Sequence, residues 1–311
     1  MNAKATIVIV ALGWVFGSSF LFMKVIVEDI SATELVTARL FLGAVTLAGV
    51  MLMLRRTSRV TPSTIVSFAA LGLFESVIPY TLIALAEVKI DSGVAAVLIS
   101  TMPIFTVLFA SALPDERLAP RGFVGLAVGF AGVVVLTGGG IVNVTNSDTL
   151  GMLGVIAAAA SYGVAGVIAK QLLKTHDAIS LTASQMLIAG LISLGITLSF
   201  DGVPDYTALQ LDSALAMVAL GTLCTAGAFT VFFWVVDQVG SVKASLVTYI
   251  VPVAGLALGW PVLGEQIGLE TVLGAILIGV GITGVMQPAQ PGAPAEVSRA
   301  APILAAGEDY A

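Results

Sequence analysis

Glu75 stands in the middle of a long apolar stretch, 63–86. A carboxyl at such a place costs about 2.5–3.5 kcal/mol on insertion scales, so its presence points to work: meeting a substrate ammonium or taking up a proton. The alternative is a neutral acid hydrogen-bonded to a neighbouring helix. Pro79 follows one turn later on the same face and loosens the helix there. Pro103 and Pro252 stand inside two further apolar stretches. Each lacks an N–H and frees the carbonyl four residues earlier, that of Ile99 or Thr248. At membrane depth a freed carbonyl is tolerated only against protein or a wet cavity. Both prolines, with Ser100, Thr101, Thr248 and Tyr249 beside them, are therefore candidate lining of a path, or else static kinks. Trp14, Phe16, Tyr80, Tyr162, Trp234 and Tyr249 offer an amphipathic wall for a small zwitterion or cation, with cation–π contact available. Taken singly, each also reads as helix packing or an interface anchor. Lys24 and Arg39 lie toward the ends of their stretches, near Glu28, Asp29 and Glu34. They form a charged gate that draws a substrate carboxylate, or they snorkel and pair locally.

These side chains need elements that can hold them in lipid. Hydrophobic residues make up 58% of the 311 and charged residues 10%, where a soluble domain carries about 25% charged. The mean hydropathy of +1.06 excludes a water-covered surface. Apolar stretches fall at 5–27, 34–54, 63–86, 92–113, 119–138, 150–169, 178–200, 212–236, 242–263 and 268–287. Each reaches the roughly 20 residues a crossing helix requires. The fold class expected is an all-α membrane protein of ten transmembrane helices. The first stretch is too long for a signal-peptide core and reads as a retained helix. Strand-like alternation, which a β-barrel needs, is absent. The remainder, 288–311, is rich in Pro, Ala and Gly and is expected to be a disordered cytoplasmic tail.

Other classes are disfavoured. There is no basic stripe for nucleic acid. No HExxH, GxSxG or phosphate-binding Gly-Lys-Ser/Thr is present, and Gly138-Gly139-Gly140 is only a loop. His176 is the single histidine, beside Asp177 and without a cysteine or histidine partner, and reads as a surface residue. Cys224 is the one cysteine. No enzyme activity, catalytic residue, metal or cofactor is expected. An intramembrane enzyme and a channel remain minor alternatives, and neither a catalytic pair nor a charged ring is visible.

The second half repeats the first. Shifted by 149, residues 69–132 fall on 218–281 without a gap, so that Pro103 meets Pro252, Glu116 meets Glu265, Gly125 meets Gly274 and Gly132 meets Gly281. Nearer the start a shift of 146 pairs Gly17 with Gly163, Phe16 with Tyr162 and Lys24 with Lys170. Glu75 meets Cys224, so that carboxyl belongs to one half only. The units are 1–140, a connecting loop 141–149, and 150–287. Five crossings per half, an odd number, turn the second half upside down, which predicts a site near the midplane and alternating access. With the N-terminus inside, ten of the thirteen lysines and arginines fall on the inner side, and only Lys89 falls in an outer loop. That asymmetry places both termini in the cytoplasm. Gly125, Gly129, Gly132, Gly274 and Gly281 read as packing faces.

Trp14-x-x-Gly17 with Lys24, Arg39, the paired Pro103 and Pro252, and Leu263-Gly264-Glu265 before the last stretch resemble the drug/metabolite transporter superfamily in its EamA branch. The likeness covers about 5–287. The first half departs from it, with Pro114-Asp115-Glu116 in place of Leu-Gly-Glu. The resemblance implies a secondary transporter of the cytoplasmic (inner) membrane that exports amino acids or similar small metabolites, in the style of aromatic amino-acid exporters. Cationic drugs are the alternative substrates. The partners implied are a small-molecule substrate and the lipid bilayer; Glu75 makes a proton a candidate coupling ion, with uncoupled facilitated diffusion the alternative.

Overall fold

The structure is a computed structural model and describes residues 3–55, 61–110, 120–136 and 147–285. Everything in these segments is helix or short connection, with no strand among the described residues. The first half runs α1 (Ala3–Ile26), α2 (Ala32–Met53), α3 (Pro62–Gly72), α4 (Ile78–Glu87), α5 (Ser92–Ile99), α6 (Met102–Ala110) and α7 (Pro120–Leu136). The second half runs α8 (Ser147–Leu172), α9 (Ala178–Phe200), α10 (Leu211–Ala219), α11 (Ala228–Val239), α12 (Ser241–Ala244), α13 (Val251–Leu263) and α14 (Leu269–Val285). Among the described residues, seven stretches are long and apolar enough to cross a membrane: Ile7–Ile26, Ala32–Met53, Thr64–Glu87, Ser92–Ala110, Asp148–Leu172, Ala178–Phe200 and Leu211–Val239. Large apolar side chains stand exposed along them, Val66 at 71% and Val45 at 69%. Lipid, not water, is the solvent for such a surface. The chain is a multi-pass membrane protein.

Local sequence sets where helices begin. Ser31 and Glu34 form a capping box at α2: the Glu34 N–H donates to the Ser31 hydroxyl at 3.2 Å and the Ser31 N–H donates to Glu34 at 3.0 Å. The Asp177 carboxylate accepts the Ile179 and Ser180 N–H groups and starts α9.

Two irregularities recur in both halves. Leu73–Val77 is a π-helical turn joining α3 to α4, and Leu220–Gly227 is another joining α10 to α11. At the repeat shift of 149 the two coincide. Wider turns of this kind insert a residue and re-aim the side chains that follow. The second irregularity is a break before each proline. Pro103 and Pro252 were expected inside continuous helices; instead α5 ends at Ile99 and α6 begins at Met102. Ser100 and Thr101 turn their hydroxyls back onto the Val97 and Leu98 carbonyls, at 2.6 and 2.8 Å. In the second half Ser245–Tyr249 tightens to 3₁₀ geometry before Val251, and the Thr248 hydroxyl bonds the Ser245 carbonyl at 2.7 Å. Threonine and serine satisfy the groups that proline leaves behind.

The halves interlock. Gly17 of α1 lies against Ala254 and the Val251 carbonyl of α13, while its repeat mate Gly163 of α8 lies against Phe105 and Thr106 of α6. The first helix of each half thus rests on the broken helix of the other. α2 meets α9 through Thr37, whose hydroxyl is 2.7 Å from Ser193 and 2.9 Å from Thr197. α7 meets α14 where a Cβ on Gly132 would come within 2.7 Å of the Ile278 nitrogen. Small residues let these backbones touch. The tail 288–311, Pro114-Asp115-Glu116, Gly138-Gly139-Gly140 and most of the 141–149 loop lie outside the described residues.

Candidate functional site

The elements converge on one central cavity of about 60 Å³. α1 contributes Phe16, Ser19, Phe20 and Met23; α2 contributes Arg39; the first π turn contributes Glu75. Ile83, Ile99 and Met102 come from the rest of the first half, and Tyr162 comes from α8. Phe229 and Phe232 of α11, with Val247, Thr248 and Val251 around the second break, complete the wall.

Two charged residue types face this apolar space. Glu75 is 1% exposed, and its Oε1 has no hydrogen-bond partner among the described residues. Arg39 is 3% exposed. Its Nε donates to the Thr225 hydroxyl at 2.7 Å and its Nη1 reaches the Met23 sulfur at 3.2 Å. Its Cζ stacks 3.6 Å from the Tyr80 ring centroid, a cation–π contact strengthened by desolvation. Among the described residues no carboxylate pairs with it. The π turns explain both placements. Glu75 rides on the first. Thr225 rides on the second, where its hydroxyl also donates to the Leu220 carbonyl at 2.6 Å and so points its oxygen at Arg39. One half supplies the guanidinium and the other holds it.

The aromatic wall is tightly assembled. The Phe16 ring meets Phe229 and Phe232 edge to face, at 5.1 and 5.9 Å between centroids. Such rings bury large area and leave their edges and faces for a flat ligand.

Of the residues singled out from sequence, Glu75, Phe16, Tyr162, Thr248 and Arg39 meet in the cavity. Tyr80 sits one layer behind, fully buried, as the platform for Arg39. Pro79, Ser100 and Pro103 are buried beside the cavity without lining it, and Pro252 is half-buried. Trp14 and Trp234 are 43% and 40% exposed and do not line it. Each is two residues from a cavity phenylalanine, Phe16 or Phe232, and two helical steps turn a side chain to the opposite face. The Tyr249 side chain lies outside the described residues. Lys24 caps the end of α4 rather than facing the cavity. Arg39, placed by sequence near a helix end among local acids, reaches into the interior. His176 is half-buried, its ring 5.0 Å from Phe68 and its Nδ1 2.9 Å from the Thr175 hydroxyl. Sequence reasoning missed Ser19, Phe20, Met23, Phe229 and Phe232. Their spacing from Phe16, and from one another in α11, follows one helix face and was the available signal.

A paired-repeat helical body around a small charged cavity defines a membrane transporter. The EamA-like transporter family model matches twice, over residues 3–138 and 149–287; the chain belongs to that family. It is 30% identical over 279 residues to the Bacillus subtilis (strain 168) protein called uncharacterized transporter YoaV, spanning 90% of this chain and 95% of that one. It is 25% identical over 278 residues to Protein PagO of Salmonella typhimurium, covering 88% and 89%. It is 24% identical over 261 residues to the uncharacterized inner membrane transporter YedA of Escherichia coli (strain K12), covering 83% and 82%. A solved crystal structure shares the fold with a TM-score of 0.66, at 21% identity over 92% of this chain and 98% of that one.

Proposed function

We propose that this transporter exports amino acids or closely similar zwitterions across the cytoplasmic membrane by alternating access. The observation that carries the reading is an arginine without a carboxylate partner and a glutamate with an unpartnered oxygen, among the described residues, on the same mostly apolar cavity. A zwitterion satisfies both: its carboxylate takes the free edge of Arg39 in a fork geometry, and its ammonium takes Glu75. Phe16, Phe20, Phe229, Phe232 and Tyr162 then favour an apolar or aromatic side chain. A purely cationic drug would leave the Arg39 charge uncompensated beside it, which disfavours the alternative reading. At about 60 Å³ the cavity holds a few waters and must widen to admit a substrate.

In this reading α7, the α12–α13 column and α14 complete ten crossings, and the halves 1–140 and 150–287 are inverted repeats. The breaks at Ser100–Thr101 and Tyr249–Ile250 serve as the two hinge points. Both termini are cytoplasmic. The name of the YedA relative, an inner membrane transporter, supports the location.

The test is uptake of labelled L-phenylalanine, L-leucine and L-lysine, and of a quaternary ammonium ion, into proteoliposomes. Saturable uptake of the apolar amino acids, lost on Arg39→Gln, is the expected result. Uptake of the quaternary cation alone, indifferent to Arg39→Gln, would sink it.

A further inference from the structure

Glu87 ends α4, on the same helical column that carries Glu75. Its side chain is fully buried, and among the described residues neither carboxyl oxygen has a hydrogen-bond partner. A lone carboxylate anion in such a place is costly, and the neutral acid is the form the site tolerates. Glu87 lies one residue past the apolar stretch 63–86, so composition does not single it out.

The charges around Glu87 are busy elsewhere. Lys24 comes from α1, Arg39 from α2, and Glu265 from the turn before α14. The Lys24 ammonium makes no ion pair with the carboxyl. It donates instead to the Glu87 and Ile90 main-chain carbonyls, at 2.6 and 2.9 Å, and so caps the end of α4. Glu265 accepts the Ser92 and Gly93 N–H groups, at 2.7 and 3.0 Å, and so caps the start of α5. A side chain from α1 and another from the second half therefore clamp the α4–α5 turn from both ends. α8 packs on the same turn, with Gly151 beside Ala86 and Ile90, and brings Asp148 on its exposed first turn. Within the clamped turn, partial burial and then Glu265 push Asp91 above the ordinary carboxylate range, against the pull of Lys24. An open cleft of about 480 Å³, lined by Lys24, Glu28, Asp91 and Glu265, gives these four access to water, and Glu87 lies behind them, joined to the cleft through the Lys24 hydrogen bond to its carbonyl.

We propose that Glu87 is a proton-binding site separate from the substrate cavity, and that its proton controls the clamp closing this face. When Glu87 releases its proton to water in the cleft, the bare carboxylate attracts the Lys24 ammonium away from the two carbonyls and repels Glu265. Both ends of the clamp slacken and the face opens. Proton uptake from the same side restores the closed arrangement. The proposal rests on the alternating access described above and not on the identity of the substrate.

Infrared difference spectra between acid and alkaline pH, on full-length protein in lipid nanodiscs, read protonated carboxyls directly. The wild type is expected to show a C=O stretch at the high-frequency position of an acid without hydrogen bonds. That band is absent in Glu87→Gln and retained in Glu75→Gln and Glu87→Asp. Glu87→Gln spectra that keep every band overturn the proposal, whatever the substrate. In proteoliposomes, wild-type exchange of labelled L-phenylalanine is expected to quicken as pH rises on the cleft side, while Glu87→Gln, fixed in the neutral form, exchanges slowly at every pH with unchanged thermal unfolding, and Glu87→Asp keeps the response. Wild-type exchange indifferent to pH on the cleft side, or a Glu87→Gln response equal to that of the wild type, overturns the proposal. So does fast exchange at every pH in Glu87→Gln. If the wild type moves no amino acid, the substrate reading fails and the infrared result still decides this one.

Discussion

Arg39 carries the sharpest expectation among single residues. A charge-assisted hydrogen bond is worth about 1.5–3 kcal/mol, so Arg39→Gln should weaken zwitterion binding by roughly tenfold to a hundredfold. Arg39→Lys should recover only part, because an ammonium keeps the charge and loses the fork and the stacking on Tyr80. Dose-dependent thermal stabilisation of the purified variants by amino acids measures both. Glu75→Gln should cut flux while leaving the unfolding temperature unchanged; wild-type flux would remove Glu75 from the site. Outside the bilayer, Asp201 accepts the hydroxyls of Thr33 and Ser31, which hold its carboxyl below the ordinary range against partial burial. A depressed value stabilises the fold above the ordinary carboxylate pKa, and the contribution fades as pH falls through the depressed one. The difference in unfolding temperature between wild type and Asp201→Asn should therefore shrink in acid. At this scale the sequence announced Glu75 because a carboxyl in an apolar run is conspicuous by type. Arg39 and Glu87 were harder to place, because near a helix end the same composition serves a solvated side chain or a buried one. Only the packing of other helices over that end decides between them.

Elements were legible as far as hydropathy reaches. Apolar runs located the helices, and the matching prolines of the repeat marked where two of them are interrupted, but the π turns leave no compositional trace. A π turn differs from its neighbours by one inserted residue, and what holds it is tertiary. Thr225, for example, is fixed jointly by Leu220 and Arg39. Pro103→Ala restores the N–H that the Ile99 carbonyl lacks and should let α5 and α6 fuse. The expected outcome is equal or greater thermal stability with slower turnover, read by unfolding curves and proteoliposome flux on the same preparation. At the α7–α14 contact, a Cβ on Gly132 would also fall 2.9 Å from the Gly274 carbonyl. Gly132→Leu should therefore cost about 1–3 kcal/mol or more of stability by overpacking, whereas Gly195→Leu, with open space around it, should cost little.

For the molecule as a whole, the charge count makes a prediction that labelling can check. Lys89 and Arg55 are both exposed, on opposite sides of the proposed membrane. In a Cys224→Ala background, a membrane-impermeant thiol reagent added to intact cells should label Lys89→Cys and spare Arg55→Cys until the membrane is opened. The reverse pattern would invert the topology and, with it, the direction of export.

The charges of the cavity and its neighbourhood are distributed unevenly between two halves of similar shape. Arg39, Glu75 and Glu87 belong to the first, and their mates are Gln185, Cys224 and Val236. This matters before any substrate arrives, during synthesis. The second half can leave the insertion machinery helix by helix, since no buried charged side chain lies among the described residues of its spans. α2 and the α3–α4 column carry side chains that hydrocarbon resists. They are consecutive in the chain, and the Arg39–Tyr80 stack joins them. The pair is best released as a hairpin with its polar groups already facing inward. Cells short of insertion chaperones should therefore lose this protein at its second and third spans first, leaving a truncated topology in which Arg55 is stranded on the wrong side.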